Sequence, residues 1–310
     1  MDSAGGYSFR AATQDDLDAV ADVVAADNLD DVGQVVLGRD FVEGQWSRLG
    51  FDLAIDAWVA VDATGTVVGY GQVRFAEPDA VDSWGVVHPK HRGRGIGSEL
   101  LDRIERRAAQ MQPEGSLIRF RHSVSSGDRA AADMVRARGL HPLHHFWHMQ
   151  IDLTPPIDPG PEPEGLDITG VNPNNDLPAV HAVLERAFVG DLSHTPAPFE
   201  AWVEEETGGS NFDPTLWLAA RDEDDIVGVL TASAGEDGGW VDYLAVLASH
   251  RGRGIGAALL RRSFALFADR GYARVLVSVD ARNPTGATGV YERVGMRVVN
   301  RWDLWERPAS

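Results

Sequence analysis

The chain has 310 residues, of which 47 are acidic and 28 basic, giving a formal net charge of −19; 44% are hydrophobic and none is cysteine. This is the balance of a soluble globular protein with room for two ordinary domains. The charge repels a phosphate backbone, which excludes nucleic acid as a bulk partner and favours a cationic small substrate, and the missing thiols exclude disulfides, thiolate metal sites and a cysteine nucleophile.

The N-terminal stretch MDSAGGYSFRAATQDD lacks a basic start with an apolar run, and no run of 18 apolar residues occurs, so the expectation is a cytoplasmic protein without a membrane span. Apolar residues at helical spacing around Leu17 (DDLDAVADVVAAD) predict a first helix behind an acidic start. AWVAVDATGTVVGYG, with Trp58 and Gly69, reads as two strands joined by a polar turn. A strand then runs into HRGRGIG at His91–Gly97, followed by helix, strand, helix and a last strand, GLHPLHHFWHM. TPPIDPGPEPEG, from Thr154 to Gly165, is too rich in proline and glycine for helix or central strand and reads as a linker. Beyond it the landmarks return. NDLPAVHAVLERAF around Leu177 answers the first helix, Trp217 and Gly228 answer Trp58 and Gly69, and HRGRGIG recurs at His250–Gly256. AALLRRSFALFADR is a helix stopped by Gly271, ARVLVSV the next strand, and RWDLWER, with Trp302 and Trp305, the final one. The predicted organisation is a tandem duplication: domain 1–153, linker 154–165, domain 166–310, each half a mixed α/β (α+β) unit with helices on the faces of a sheet.

A glycine turn between a strand and a helix leaves backbone N–H groups unpaired at the positive end of the helix, and glycine allows close approach, so such a turn can cradle a pyrophosphate. Glycine turns of this kind also occur for packing alone. The P-loop and G-x-G-x-x-G patterns are both absent from HRGRGIG, which argues against ATP and NAD.

Arg-x-x-Gly-x-Gly, at Arg92, Gly95 and Gly97 and again at Arg251, Gly254 and Gly256, resembles the acetyl-CoA pyrophosphate loop of the GNAT superfamily of N-acetyltransferases. Leu244-Ala245-Val246 stands where that family has its L-x-V strand end, and Asn283, Ala287, Tyr291, Gly295 and Met296 match its later N-x-x-A-x-x-x-Y-x-x-x-G-[FM] pattern. The resemblance implies two tandem GNAT-type domains, each a mostly antiparallel twisted sheet flanked by helices, its central strands splayed to admit the pantetheine arm. It implies acetyl-CoA as co-substrate, held in the second half by Leu244, Val246, Arg251, Gly252, Arg253, Gly254, Ile255, Gly256 and Asn283, with Asn283 alternatively a helix N-cap. Tyr291 falls at the family's proton-donor position; the alternative is a tyrosine that only packs a helix face. Asp242 falls where many members carry a carboxylate that takes the amine proton; the alternative is a substrate-binding or solvated carboxylate. A backbone N–H at Val246 or Leu247 is the expected oxyanion partner.

The first half keeps the loop, with Val87, Arg92, Gly93, Arg94, Gly95, Ile96 and Gly97 as the corresponding cofactor residues, but Val135, Gly127 and Ser83 stand in for Tyr291, Asn283 and Asp242. Catalysis is therefore expected in the second half, and the first either binds acetyl-CoA or only supports the fold. His141, His144, His145 and His148 lack carboxylate or cysteine partners at ligand spacing, so no metal is expected. The expected function is acetyl transfer to a primary amine of a small molecule by direct attack in a ternary complex; the competing reading is a non-catalytic acetyl-CoA sensor or scaffold. Monomer and homodimer are both compatible.

Overall fold

The computed structural model describes residues 3–4, 6–77, 79–112, 117–189, 196–208, 212–235, 238–281 and 287–307. In chain order its elements are β1 (Ser3–Ala4), β2 (Tyr7–Ala11), α1 (Leu17–Val32), α2 (Arg39–Trp46), α3 (Leu53–Asp56), β3 (Ala57–Val61), β4 (Val67–Glu77), β5 (Ala80–Val87), α4 (Ile96–Met111), β6 (Arg119–Ser125), α5 (Arg129–Ala137) and β7 (His141–Asp152). After the proline-rich stretch come β8 (Asp167–Gly170), α6 (Leu177–Ala187), α7 (Phe199–Thr207), β9 (Leu218–Asp222), β10 (Asp225–Gly235), β11 (Gly238–Val246), α8 (Ile255–Asp269), β12 (Arg274–Asp280), α9 (Ala287–Arg293) and β13 (Arg297–Arg307).

These elements build two compact units whose bounds differ from the expected 1–153 and 166–310. One unit is Met1–Phe146 together with Asn300–Ser310; the other is Trp147–Val299. The reason lies in the last strand. Residues Trp302 to Arg307 of β13 pair antiparallel with β6, from Trp302↔Ser125 to Arg307↔Phe120, so the end of the chain completes the sheet of the first unit. Trp305 is 3% exposed in a core with Val73, Leu101, Phe120 and Leu140, the Arg136 guanidinium lies 5.3 Å from its ring centroid, and Arg121 donates to Glu306 at 2.9 Å. Correspondingly, Met149 and Leu153 join the core of the second unit, and Leu153 N–H bonds Ala273 O at 2.8 Å. Sequence periodicity cannot report this, because a strand's alternation looks the same whichever sheet receives it.

Within the first unit, β2, β3, β4 and β5 run antiparallel in that order, and β5 pairs in parallel with β6. In the second, β8, β9, β10 and β11 repeat the antiparallel meander and β11 pairs in parallel with β12. Both parallel ladders stop early. The β5/β6 ladder ends at Trp84↔Ser123 although β5 continues to Val87, and the β11/β12 ladder ends at Val241↔Val277 although β11 continues to Val246 and β12 to Asp280. Each unit therefore holds a splayed strand pair directly ahead of its glycine loop. Strand glycines let the following helix lie close: a Cβ on Gly228 would sit 3.0 Å from Ile255 Cγ2, and one on Gly69 3.0 Å from Ile96 Cγ2.

Candidate active site

In both copies the heptapeptide folds alike. A short 3-10 turn ends at its histidine, the first two glycines take left-handed conformations, and the helix opens at the isoleucine. Gly252 and Gly254 have φ of 82° and 83°, and Gly93 and Gly95 73° and 83°, values that disfavour any L side chain. Gly254 caps α8 and Gly95 caps α4, so the first-turn N–H groups lack intrahelical partners and are available to an anion. Gly256 stands between β11 and α9, a Cβ there lying 3.7 Å from Leu244 Cδ2 and 3.6 Å from Val290 Cγ1.

The splayed edge of β11 supplies backbone donors. Leu247 N–H is already bonded to Val227 O at 3.0 Å, which removes it as oxyanion donor. Alternation along the antiparallel ladder, with Val246 opposite Gly228 and Leu244 opposite Leu230, then points the N–H groups of Val246 and Leu244 away from β10 and into the gap toward β12. Of the two expected oxyanion donors, Val246 alone has the required direction.

Asp242 owes its setting to a β-bulge. Thr231 pairs with Tyr243 and Ala232 with Val241, leaving Asp242 as the extra residue, and Tyr243 N–H reaches the Thr231 Oγ1 at 3.2 Å. Such bulges re-aim side chains, so Asp242 does not simply share the strand face of Val246 as alternation predicts. Asp242 is exposed as a residue, yet the protein around its carboxyl group pushes the pKa up to about 7 by desolvation, against a hydrogen bond from Ser233 Oγ at 3.1 Å that lowers it. The value suits a base working near neutrality. Tyr291, 5% exposed in the second core, has its phenol pKa raised by burial and is therefore fully protonated at neutral pH. Asn283 lies outside the described residues.

The two loop arginines differ most. Among the described residues Arg251 donates to two carbonyls, Val246 O and Ala187 O, each at 3.1 Å. Arg253 donates to Glu164 O at 3.1 Å and lies 3.5 Å from Asp222, which also pairs with His250 at 3.1 Å. In the first unit, Arg92 is held by Asp27 at 2.6 Å, Asp30 at 2.7 Å and Asp31 at 3.6 Å, all on α1. Leu17 answers Leu177, so Asp27 occupies the helix position of Ala187; the same guanidinium contact is made to a side-chain carboxylate in one copy and to a backbone carbonyl in the other. Arg94 bonds Tyr7 Oη at 2.8 Å. The β4/β5 ladder runs through Val73↔Ser83 without a bulge, and Val135 is buried where α9 carries Tyr291.

The four histidines of β7 disperse. His145 pairs with Asp303 at 2.6 Å in the first unit, while His148 is buried in the second, its pKa lowered to about 4, edge-on to Trp240. Among the described residues no group of His, Asp or Glu is arranged to hold a metal, and no helix is long and apolar enough to cross a membrane.

Comparison with known proteins agrees with these features. The Acetyltransferase (GNAT) family pattern matches residues 177–296, and an Acetyltransferase (GNAT) domain pattern matches 54–138. A mycothiol acetyltransferase of Thermobispora bispora is 32% identical over 77% of this chain and 78% of its own, and one of Streptomyces scabiei is 30% identical over 78% and 76%. The crystal structure of a GCN5-related N-acetyltransferase from Sphaerobacter thermophilus superposes with TM-score 0.84 at 30% identity, covering 97% of this chain and 95% of that one. A tandem GNAT protein from the clavulanic acid biosynthesis pathway shares the fold, with TM-score 0.71 at 19% identity over 98% of this chain and 99% of its own. The chain belongs to the GNAT family: it is an acetyltransferase with two tandem GNAT domains. Within that family its sequence is similar to those of mycothiol acetyltransferases over most of its length.

Proposed function

We propose that the second unit transfers the acetyl group of acetyl-CoA to a primary amine of a small molecule by direct attack in a ternary complex. The observation that carries this reading is the bulged Asp242, with its pKa near 7, on the strand whose N–H groups face the splayed gap. The left-handed glycines and unpaired first-turn N–H groups of α8 fit a pyrophosphate, and Arg251, without a carboxylate partner among the described residues, adds charge to that end. Asp242 takes a proton from the incoming ammonium, directly or through water, so that the neutral amine attacks the thioester. The N–H of Val246 bonds the developing oxyanion, a donor fixed in place before the reaction begins. Tyr291, kept protonated by burial, donates its O–H to the departing sulfur. No covalent enzyme intermediate is needed.

The mycothiol acetyltransferases favour a more specific acceptor within this reading, the cysteinyl amine of a glucosaminyl-inositol conjugate. The deciding experiment measures CoA release from acetyl-CoA with that conjugate, aminoglycosides, polyamines, amino acids and peptides. Turnover with one class names the acceptor. Acetyl-CoA binding without release on every class refutes the proposed transfer to these amines and favours a sensing role.

A further inference from the structure

The first unit contains a cavity of about 290 Å³ beside its glycine loop. Its walls are largely apolar, with Met134 and Trp302 among them, and its charged and polar lining includes Asp27, Asp31, Asp128, Arg92, His91 and His122. Two independent features set its chemistry. At the loop, Arg92 faces three carboxylates of α1, and Asp128 at the start of α5 adds a fourth, so one guanidinium meets four carboxylates and the balance where a cofactor phosphate would sit is negative. Within the cleft, His122 is 5% exposed and its hydrogen bonding fixes the tautomer. Ser83 Oγ donates to Arg121 O at 2.7 Å, a carbonyl that can only accept. The serine's one proton is thereby used, and the 2.8 Å contact between Ser83 Oγ and His122 Nδ1 must be donated by Nδ1. Nε2 is then a bare acceptor, and no described group bonds it. Burial lowers the His122 pKa to about 4, so the ring stays neutral.

From the carboxylates at the loop and the bare His122 Nε2 in the cavity, we propose that the N-terminal cleft binds a small amine in place of acetyl-CoA, with its ammonium at Asp27, Asp31 and Asp128, its apolar body against Met134 and Trp302, and a donor group on His122 Nε2. A phosphate meets an excess of carboxylates here, whereas an ammonium meets acceptors, and the apolar walls suit the body that carries it. The site lies apart from the acyl-transfer residues of the second unit, and the proposal does not depend on their assignment.

Tyramine carries an ammonium, an aromatic body and a phenolic donor, and phenethylamine lacks only the donor. Calorimetric titration of the full chain is expected to show tyramine binding at least tenfold more tightly than phenethylamine. Asp31→Asn, and independently Ala131→Phe, which fills the cavity from α5, are expected to weaken tyramine at least tenfold while acetyl-CoA still binds at one per chain. Asp242→Asn should leave tyramine affinity within twofold. Undetectable tyramine binding to the wild type, equal affinity for the two amines, loss of binding in Asp242→Asn, or a second acetyl-CoA per chain would each overturn the proposal. The near-normal acetyl-CoA affinity of a variant serves as its folding control.

Discussion

If Asp242 is the base, replacing it by asparagine keeps the shape of the bulge and removes the proton acceptor. General-base catalysis contributes about 10²–10⁴-fold, so Asp242→Asn should lower kcat/KM at pH 8 by about 10²-fold or more with little change in acetyl-CoA affinity. The pH profile is the sharper readout. With a pKa of about 7, about one-tenth of the carboxylate is ionised at pH 6 and about nine-tenths at pH 8, so kcat/KM should rise roughly tenfold per unit below pH 7 and flatten above it. Ser233 stabilises the ionised form from 3.1 Å, so Ser233→Ala should move that limb to higher pH and Asp242→Asn should abolish it. Any limb due to the acceptor amine follows the amine's own pKa and persists in both variants. Near-wild-type kcat/KM in Asp242→Asn, or an unmoved limb, would refute the assignment.

Tyr291→Phe should cost about 10²-fold in kcat while leaving acetyl-CoA affinity nearly unchanged, as steady-state kinetics beside calorimetric binding would show. Gly254→Ala and Gly95→Ala impose the same left-handed strain, φ 83° in both, and each should cost stability by about 1–2 kcal/mol; thermal melts should match, while only the Gly254 variant weakens acetyl-CoA binding. Trp305→Ala empties a buried site of the first core and should destabilise that unit by about 3–5 kcal/mol; a protease-susceptibility or hydrogen-exchange map should place the loss in residues 1–146.

Much of this was legible in the chain because local patterns carried it. The repeated heptapeptide, its offset, the hairpins and the helix stopped at Gly271 all depend on short-range rules, and the structure reproduces them, with Gly271 at φ 85°. What stayed hidden depends on distant partners. The bulge at Asp242 appears only when β11 is laid against β10, since one extra residue leaves no mark in a single strand. The contacts of Asp27, Asp30 and Asp31 with Arg92 appear only when α1 is placed against the loop, although the contrast of Asp27 with Ala187 was present at the offset that sets Leu17 against Leu177. Ser83 looked like a lost carboxylate; its bond to His122 requires the parallel β5/β6 pairing. The route of β13 was the least legible, since Trp302 and Trp305 suit either core.

That route has a consequence for how the protein is made. Arg121 and Glu306, joined by a hydrogen bond, are 185 residues apart in the chain, and at about 5–20 residues per second the ribosome needs about 10–40 s to span them. For that interval the first module has been synthesised but its β6 edge lacks the strand that covers it, the kind of edge that recruits other chains. The module encoded first is thus the one finished last, and cutting the gene at the proline-rich stretch would give a fragment without its closing strand. The two copies of the duplication stopped being separable when the end of the second became part of the first.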